Sequence, residues 1–389
     1  MLHVLYLVHD LSDPAVRRRV IMLKAGGATV TLAGFRRSAD PVGEVDGLTP
    51  IDLGMTRDGK FVQRLGAVGM TALSLGAKLK HVRKPDLVIG RSLEMLALAN
   101  RLSALFCGTV PVVYECLDIH RLLLRRDGVG RAMRAAERAF GRNAVLLITS
   151  SPAFVREYFQ PLGQIKAPVL VVHNKVLEIG GAPETAPHEP PDGGPWRIGW
   201  FGALRCRKSL ELLCAFTRRM AGRFEVILRG RPAYREFEDF DRTVAAEPHL
   251  RFAGAYRNPE DLAAIYGEVH LTWAIDFFEE RMNSNWLLPN RLYEGCRYGA
   301  VPIAMRQTET GRFLAVRGLG FLLSKASVDG ISGGLGDLDS KTYALARAKV
   351  ARQDDSTWIC GPSDCRALVE RLGQLANAVG QGAVLEAVA

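Results

Sequence analysis

The stretch HVLYLVHDLSDPAVRRRVIMLKAGGATVTLAGF, residues 3–35, decides the fold class. His3–Val8 is a strand-like apolar run. Ser12 or Asp13 can cap a helix, Pro14 suits its first position, and Val16, Val20, Met22 and Leu23 make one apolar stripe. Gly26-Gly27 ends that helix, and ATVTLAGF (28–35) is the next strand. The grammar continues with PDLVIG (85–90), helical SLEMLALANRLSALF (92–106), VPVVYEC (110–116), AVLLITSS (144–151) and helical PAFVREYF (152–159). Alternating strands and helices with short connections predict a parallel, doubly wound α/β sheet.

HNKVLEIGGAPETAPHEPPDGGP (173–195) interrupts the pattern; its Pro and Gly content reads as a linker. The grammar then restarts with WRIGWFG (196–202), SLELLCAFTRRM (209–220), FEVILRG (224–230), HLRFAG (249–254), NPEDLAAIYGEV (258–269), HLTWAI (270–275) and GAVPIA (299–304). The expected organisation is a first α/β domain over 1–172, the linker, a second over 196–365, and a C-terminal helix and tail over 366–389 that packs back on the first. Two such sheets create a cleft between their carboxyl edges, where ligands of open α/β sheets bind.

A chain of 389 residues, 48% of them hydrophobic, fits two domains with substantial cores. Its seven cysteines are scattered and form no C-x-x-C pair, which argues for a reduced environment and against a metal site. The apolar start is broken by His3, His9 and Asp10, so it reads as a strand rather than a signal peptide. No run approaches the length of a membrane span. The formal charge of +10 is uneven: residues 1–170 hold 24 Lys and Arg against 14 Asp and Glu, and the remainder holds 27 against 27. A basic first half is either a solvated face or the partner of something acidic. Nucleic acid is the weakest such partner, since no zinc-finger, aromatic RNA-binding or basic-zipper pattern is present.

The turn VHDLSDPAV (8–16) has no glycine, so the dinucleotide fingerprint is missing there, and no Walker A pattern occurs. In the second half, GWFGALRCRKSLELL (199–213) runs from a strand through Gly202 into Arg205, Arg207 and Lys208 before a helix. A glycine for close backbone approach and three cations suit a diphosphate, or make a solvated basic loop. In NWLLPNRLYEGCRYGAVPIA (285–304), Pro289 is placed in the first turn of a helix whose free amides favour an anion. Glu294 alone reads as the charged face of that helix; beside an anion site it suits a ribose diol, two hydroxyl donors for two carboxylate oxygens.

The 285–304 block, together with LVHDLSDPAVRRRVIMLKAGGATVTLAGFRR (7–37), carries a resemblance to GT-B nucleotide-sugar glycosyltransferases of glycosyltransferase family 4. Within that group the look is of bacterial succinoglycan-type exopolysaccharide enzymes, over nearly the whole chain. The resemblance implies two Rossmann-like domains facing across a cleft, with the second holding a nucleoside diphosphate sugar, UDP-hexose by expectation; no cofactor is expected, and no metal, since no acidic pair with ligand spacing stands out. It implies Glu294 on the ribose and Lys208, six residues after Gly202, on the phosphates; Asn285, Leu288 and Asn290 belong to the same donor block. The family's arginine directly after the glycine is Ala203 here, and Arg205 or Arg207 stands in. Its glutamate eight residues before the ribose carboxylate is Trp286, leaving Glu279, Glu280, Asn283 or Asn285 for the sugar hydroxyls. Its histidine after the fourth strand falls on Arg91 and Ser92.

In the first half, YECLDIHRLLLRR (114–126) follows a strand, and Asp118 and His120 are its acid–base candidates, with His9, Asp10 and Asp13 behind them. An inverting transfer requires a base; a retaining one does not. Residues 121–142 space Arg126, Arg131, Arg134, Arg138 and Arg142 among apolar residues, and 61–84 is apolar with five basic positions in its last seven. Such stretches lie on anionic lipid. The expectation is a cytoplasmic enzyme, peripheral on the inner face of the cell membrane, moving a hexose to a polyprenyl-diphosphate-linked glycan. The alternatives are a sugar-nucleotide epimerase of the same architecture and an inactive nucleotide-sugar-binding module.

Overall fold

The computed structural model describes residues 1–40, 42–56, 61–162, 165–181 and 194–380. The chain divides into two compact units, one combining Met1–Val172 with the segment from Gly361 onward, the other His173–Cys360.

The first unit is built on seven parallel strands: β1 (His3–Val8), β2 (Thr29–Arg36), β3 (Ile51–Met55), β4 (Leu87–Arg91), β5 (Val112–Glu115), β6 (Ala144–Thr149) and β7 (Val169–Val171). Their order is β3-β2-β1-β4-β5-β6-β7, so the winding reverses between β1 and β4. Crevices at such reversals, outside the carboxyl ends of the strands, are where α/β sheets bind ligands. Of the two residues able to cap the first helix, Asp13 does so: its Oδ1 accepts from the Ala15 amide at 2.9 Å. That helix, Pro14–Ala25, buries Val16, Val20, Met22 and Leu23 as the stripe predicted, and Arg19 with them. A Cβ on Gly26 would fall 2.2 Å from the Cys365 carbonyl oxygen, because the helix Pro362–Gly380 crosses there. Strand β3 was not legible: IDLGM offers one β-branched residue and a glycine at φ +127.

The second unit carries six parallel strands, β9 (Trp196–Leu204), β10 (Phe224–Pro232), β11 (Leu250–Phe252), β12 (Leu271–Trp273), β13 (Val301–Met305) and β14 (Phe321–Leu323), ordered β11-β10-β9-β12-β13-β14. Here the reversal lies between β9 and β12. Trp200, Trp273, Leu213 and Phe216 fill the core between this sheet and the helix Arg207–Arg219. Within 173–195, β8 (Val176–Leu177) pairs in parallel with β15 (Ile359–Cys360), and Glu178 accepts from Arg297 Nε at 2.6 Å. Residues 182–193 of that segment lie outside the described ones, as do 381–389 of the tail.

Two expected helices are redrawn. The block at 285–304 does not begin a helix at LLPN. A short turn, Asn283–Trp286, stops; Leu287 and Pro289 are extended; and the helix proper runs Asn290–Arg297 with Pro289 as its N-cap. The ring of Pro289 disfavours helical backbone at Leu288, so the helix cannot start before the proline, and Pro289 is itself extended at ψ 151. The basic stretch 121–142 is helical only over Gly128–Gly141, where Asp127 caps by accepting from the Gly130 amide at 3.0 Å.

Candidate functional site

In the second unit the reversal crevice collects most of the residues expected to hold a donor. Near the end of β9 lies Gly202, at φ +105, a conformation that favours glycine. Its register partner is Gly230 on β10, where a Cβ would lie 1.9 Å from the Gly202 carbonyl oxygen. The strands therefore close tightly beneath Arg205 and the helix start that carries Lys208. Lys208 Nζ reaches both Glu280 oxygens, at 2.9 and 2.8 Å, and sits 4.5 Å from the Phe277 ring centroid. The Arg205 guanidinium stacks 4.6 Å over Phe278 and stands 3.8 Å from Asp276. Arg207 opens the following helix, is exposed, and points Nε toward the Glu236 carbonyl at 3.4 Å. Asp276–Glu280 follow directly from β12, so both sides of the reversal contribute.

Glu294 lies one turn into the helix Asn290–Arg297 and is buried. Asn258 Nδ2 donates to its Oε1 at 2.9 Å and the Tyr266 hydroxyl to its Oε2 at 3.0 Å. Burial, followed by the Glu294 charge, holds the Tyr266 phenol far above its ordinary range, so it stays a donor. With a donor on each oxygen the carboxylate is held in a fixed orientation. Pro289 brings no side-chain cap, so the first amides of that helix are left to other acceptors. Asn290 is exposed at its first position and Leu288 is buried beneath it. Asn285 instead closes its own turn, with Oδ1 accepting from the Arg281 amide at 2.9 Å. Two residues of this crevice escaped the sequence reading: Arg291, 3.7 Å from Asp276, and Asp276 itself. The only available signal was Arg291 standing one turn before Glu294.

In the first unit the reversal between β1 and β4 holds a buried charge network. Arg19 Nε donates to Glu115 Oε1 at 2.6 Å; the Tyr6 hydroxyl donates to Glu115 Oε2; Arg91 bridges Tyr6 at 3.2 Å and Asp13 at 2.9 Å. Burial alone would raise the Glu115 pKa, but Arg19, Arg91 and the Tyr6 hydrogen bond outweigh it and the group is held below its ordinary range. His9 follows β1 directly. Its Nδ1 is buried without a hydrogen-bond partner, and burial, then the Arg91 charge, lowers its pKa. Ser92, beyond β4, has φ +87 and ψ 166, a strained backbone for a non-glycine residue. Asp118 and His120 lie beyond β5, one strand away from the reversal; Asp118 is exposed, and His120 Nδ1 accepts from the Leu122 amide at 3.3 Å.

The basic segments also take distinct forms. Arg134 turns inward and donates to the Leu123 and Arg125 carbonyls at 2.5 and 2.7 Å, whereas Arg131 and Arg138 are exposed. In the helix Phe61–Lys78, Met70 and Leu73 are 70% and 79% exposed, followed by exposed Lys80, His81, Arg83 and Lys84. The side chains of Phe61, Val62, Arg64 and Leu65 lie outside the described residues. Among those described, no helix is long and apolar enough to cross a membrane, and no group of His, Cys, Asp and Glu is placed to hold a metal.

No family model matches the chain. It is 60% identical over 379 residues, 96% of its own length and 94% of the relative's, to the succinoglycan biosynthesis protein ExoL of Rhizobium meliloti (strain 1021). The chain belongs to the ExoL family. Solved structures agree on the fold. Sucrose-phosphate synthase from Thermosynechococcus elongatus superimposes with a TM-score of 0.64 at 13% identity, covering 98% of both chains. Anabaena HepE in complex with UDP and glucose gives 0.64 at 12% identity, covering 96% of this chain and all of that one. The ExoL-family chain thus has the GT-B glycosyltransferase fold, with one seven-stranded and one six-stranded parallel sheet.

Proposed function

We propose that the protein is a hexosyltransferase of exopolysaccharide assembly, moving the sugar of a UDP-hexose to a hydroxyl of a polyprenyl-diphosphate-linked glycan. The observation that carries this reading is the second unit's crevice: Arg205 and Lys208 after Gly202, and the oriented Glu294 on a helix whose start is uncapped. Glu294 takes the ribose diol, while Arg205, Arg207, Lys208 and the amides at Asn290 take the diphosphate, with Asn285 and Leu288 shaping the donor block. Support comes from the succinoglycan role of the 60% identical relative and from a structural neighbour solved with UDP and glucose. As the glycosidic carbon leaves UDP, negative charge grows on the diphosphate; fixed cations stabilise that charge without reorganising. No metal or cofactor is required by this scheme.

For the acceptor, Asp118 and His120 are candidates to receive the hydroxyl proton, and the reversal point adds His9, whose lowered pKa keeps the ring neutral and able to accept. The lipid end of the acceptor places the enzyme on the inner face of the membrane. Exposed Met70 and Leu73, followed by five cationic or titratable positions through Lys84, suit a shallow anionic interface.

Incubation with radiolabelled UDP-glucose and UDP-galactose, with and without membrane extract, tests the assignment. Label should pass to lipid only when extract is present. Conversion of one nucleotide sugar to another without extract would indicate an epimerase, and binding without turnover an inactive module.

A further inference from the structure

Asp276 is held by one oxygen and not the other. Its Oδ1 accepts from the Phe278 amide at 2.7 Å and from Ser284 Oγ at 2.9 Å. Its Oδ2 faces two guanidinium groups, Arg205 at 3.8 Å and Arg291 at 3.7 Å, both beyond hydrogen-bonding range. Arg291 is more than nine-tenths buried and is anchored by Nη2, which donates to the Ile275 carbonyl at 2.8 Å. The Nε of Arg291 and the Nε of Arg205 are both buried with no hydrogen-bond partner. Two guanidinium groups thus share one carboxylate that hydrogen-bonds to neither. Leaving buried charged donors unsatisfied is costly, so such a cluster is stable only where something else draws on them. Asp276 cannot close the gap, because moving toward the arginines would break its own bonds to Phe278 and Ser284.

We infer that Arg291 is a second phosphate-binding cation of this crevice and that Asp276 is the counter-ion both arginines exchange for the diphosphate of a nucleotide. The inference rests on the donor-site reading above. Arg291 and Glu294 are three residues apart on one helix, so their side chains are neighbours on its surface. One helix turn then presents a carboxylate to a ribose and a guanidinium to the adjoining phosphates, a spacing that selects a nucleoside diphosphate over either half alone. Asp276 neutralises the pair when no nucleotide is present and opposes the incoming anion, which also eases its departure after transfer.

Calorimetry on the full chain with UDP, uridine and inorganic pyrophosphate tests this. Asp276→Asn keeps the Oδ1 acceptor and removes the charge; it should bind pyrophosphate and UDP more tightly, by about tenfold, with uridine unchanged. Arg291→Gln should weaken UDP and pyrophosphate by about tenfold or more and spare uridine. Thermal melts confirm folding, and where Arg291→Gln fails to fold, Asp276→Asn decides alone. Folded Asp276→Asn that binds pyrophosphate no better than wild type, or worse, overturns the counter-ion role. Equal losses for uridine and UDP in Arg291→Gln overturn the phosphate role. Wild type that ignores UDP refutes the donor site itself, whereas normal UDP binding with indifferent variants refutes only this inference.

Discussion

Tyr266 donates to one oxygen of Glu294 at 3.0 Å and Asn258 to the other at 2.9 Å, so the carboxylate is gripped through both oxygens before any ligand arrives. Glu294→Gln converts one oxygen into a donor that faces a donor, and it removes the charge. UDP binding should weaken by about 1–3 kcal/mol, the range for a charge-assisted hydrogen bond. Tyr266→Phe should cost less, since only orientation is lost. A folded Glu294→Gln protein with wild-type calorimetric affinity would take Glu294 out of the site.

Arg205→Ala and Lys208→Ala should each lower affinity for UDP and leave uridine nearly unaffected. Lys208 also loses its pair with Glu280, but that pair is about half exposed and contributes little to stability. The melting temperature should therefore hold while binding falls. Parallel losses for nucleoside and nucleotide would point to a disturbed fold instead.

Glu115 carries the first unit's buried network. Its folded pKa is depressed, so its stabilising contribution is complete above the ordinary glutamate value, about 4.3, and is lost as pH falls through the lower folded value. Glu115→Gln leaves Arg19 and Arg91 buried without their shared carboxylate and should destabilise by about 3–5 kcal/mol at neutral pH. The variant's stability should also vary less with pH on the acid side. Melts between pH 3 and pH 7 read both effects; parallel curves for the two proteins would show that the network does not govern acid sensitivity.

Membrane attachment is expected to depend on the helix Phe61–Lys78 as well as on charge. Met70→Ser with Leu73→Ser should reduce flotation with anionic vesicles at all salt concentrations, whereas Arg131→Gln with Arg138→Gln should matter only at low salt. Arg134 is left out because it caps backbone carbonyls, and its replacement would report on folding. Flotation of the wild type with neutral vesicles equal to that with anionic ones would remove the electrostatic part of this account.

Ser92→Gly should raise stability by about 1 kcal/mol, since glycine adopts φ +87 without strain. Lower turnover in the stabilised variant would tie the strain, or the hydroxyl that donates to Glu94 at 2.9 Å, to function.

The alternation of strands and helices was readable because each strand is a short apolar run and each helix has a cap or a glycine stop, as in residues 3–35. Strand β3 was not, because Ile51–Met55 is stabilised by its neighbour β2 rather than by its own composition. Pro289 is the N-cap of its helix rather than a residue of the first turn, in keeping with the restriction a proline puts on the residue before it. Glu294, Gly202, Arg205 and Lys208 stand out in the sequence as candidates, through a glycine before cations and a carboxylate after Pro289, and the family resemblance is what joins them into one proposed donor block. The Arg19–Glu115–Arg91 network was not, since its members are 72 and 24–96 positions apart in the chain and pair only once β1, β4 and β5 lie side by side. Asp276 and Arg291 were hidden for the same reason, one being a loop residue and the other one of many arginines.

The helix Pro362–Gly380 lies on Pro14–Ala25 at Gly26, so the first unit is assembled from both ends of the chain while the second is one continuous segment. During synthesis the second unit has all of its residues before the first does, and domains generally fold as units as they emerge. The first unit is therefore completed only once the helix Pro362–Gly380 has emerged, with the surface around Gly26 uncovered in the meantime. Shortening the chain to before Cys365 would remove the Cys365 and Val369 contacts and leave that surface exposed for good.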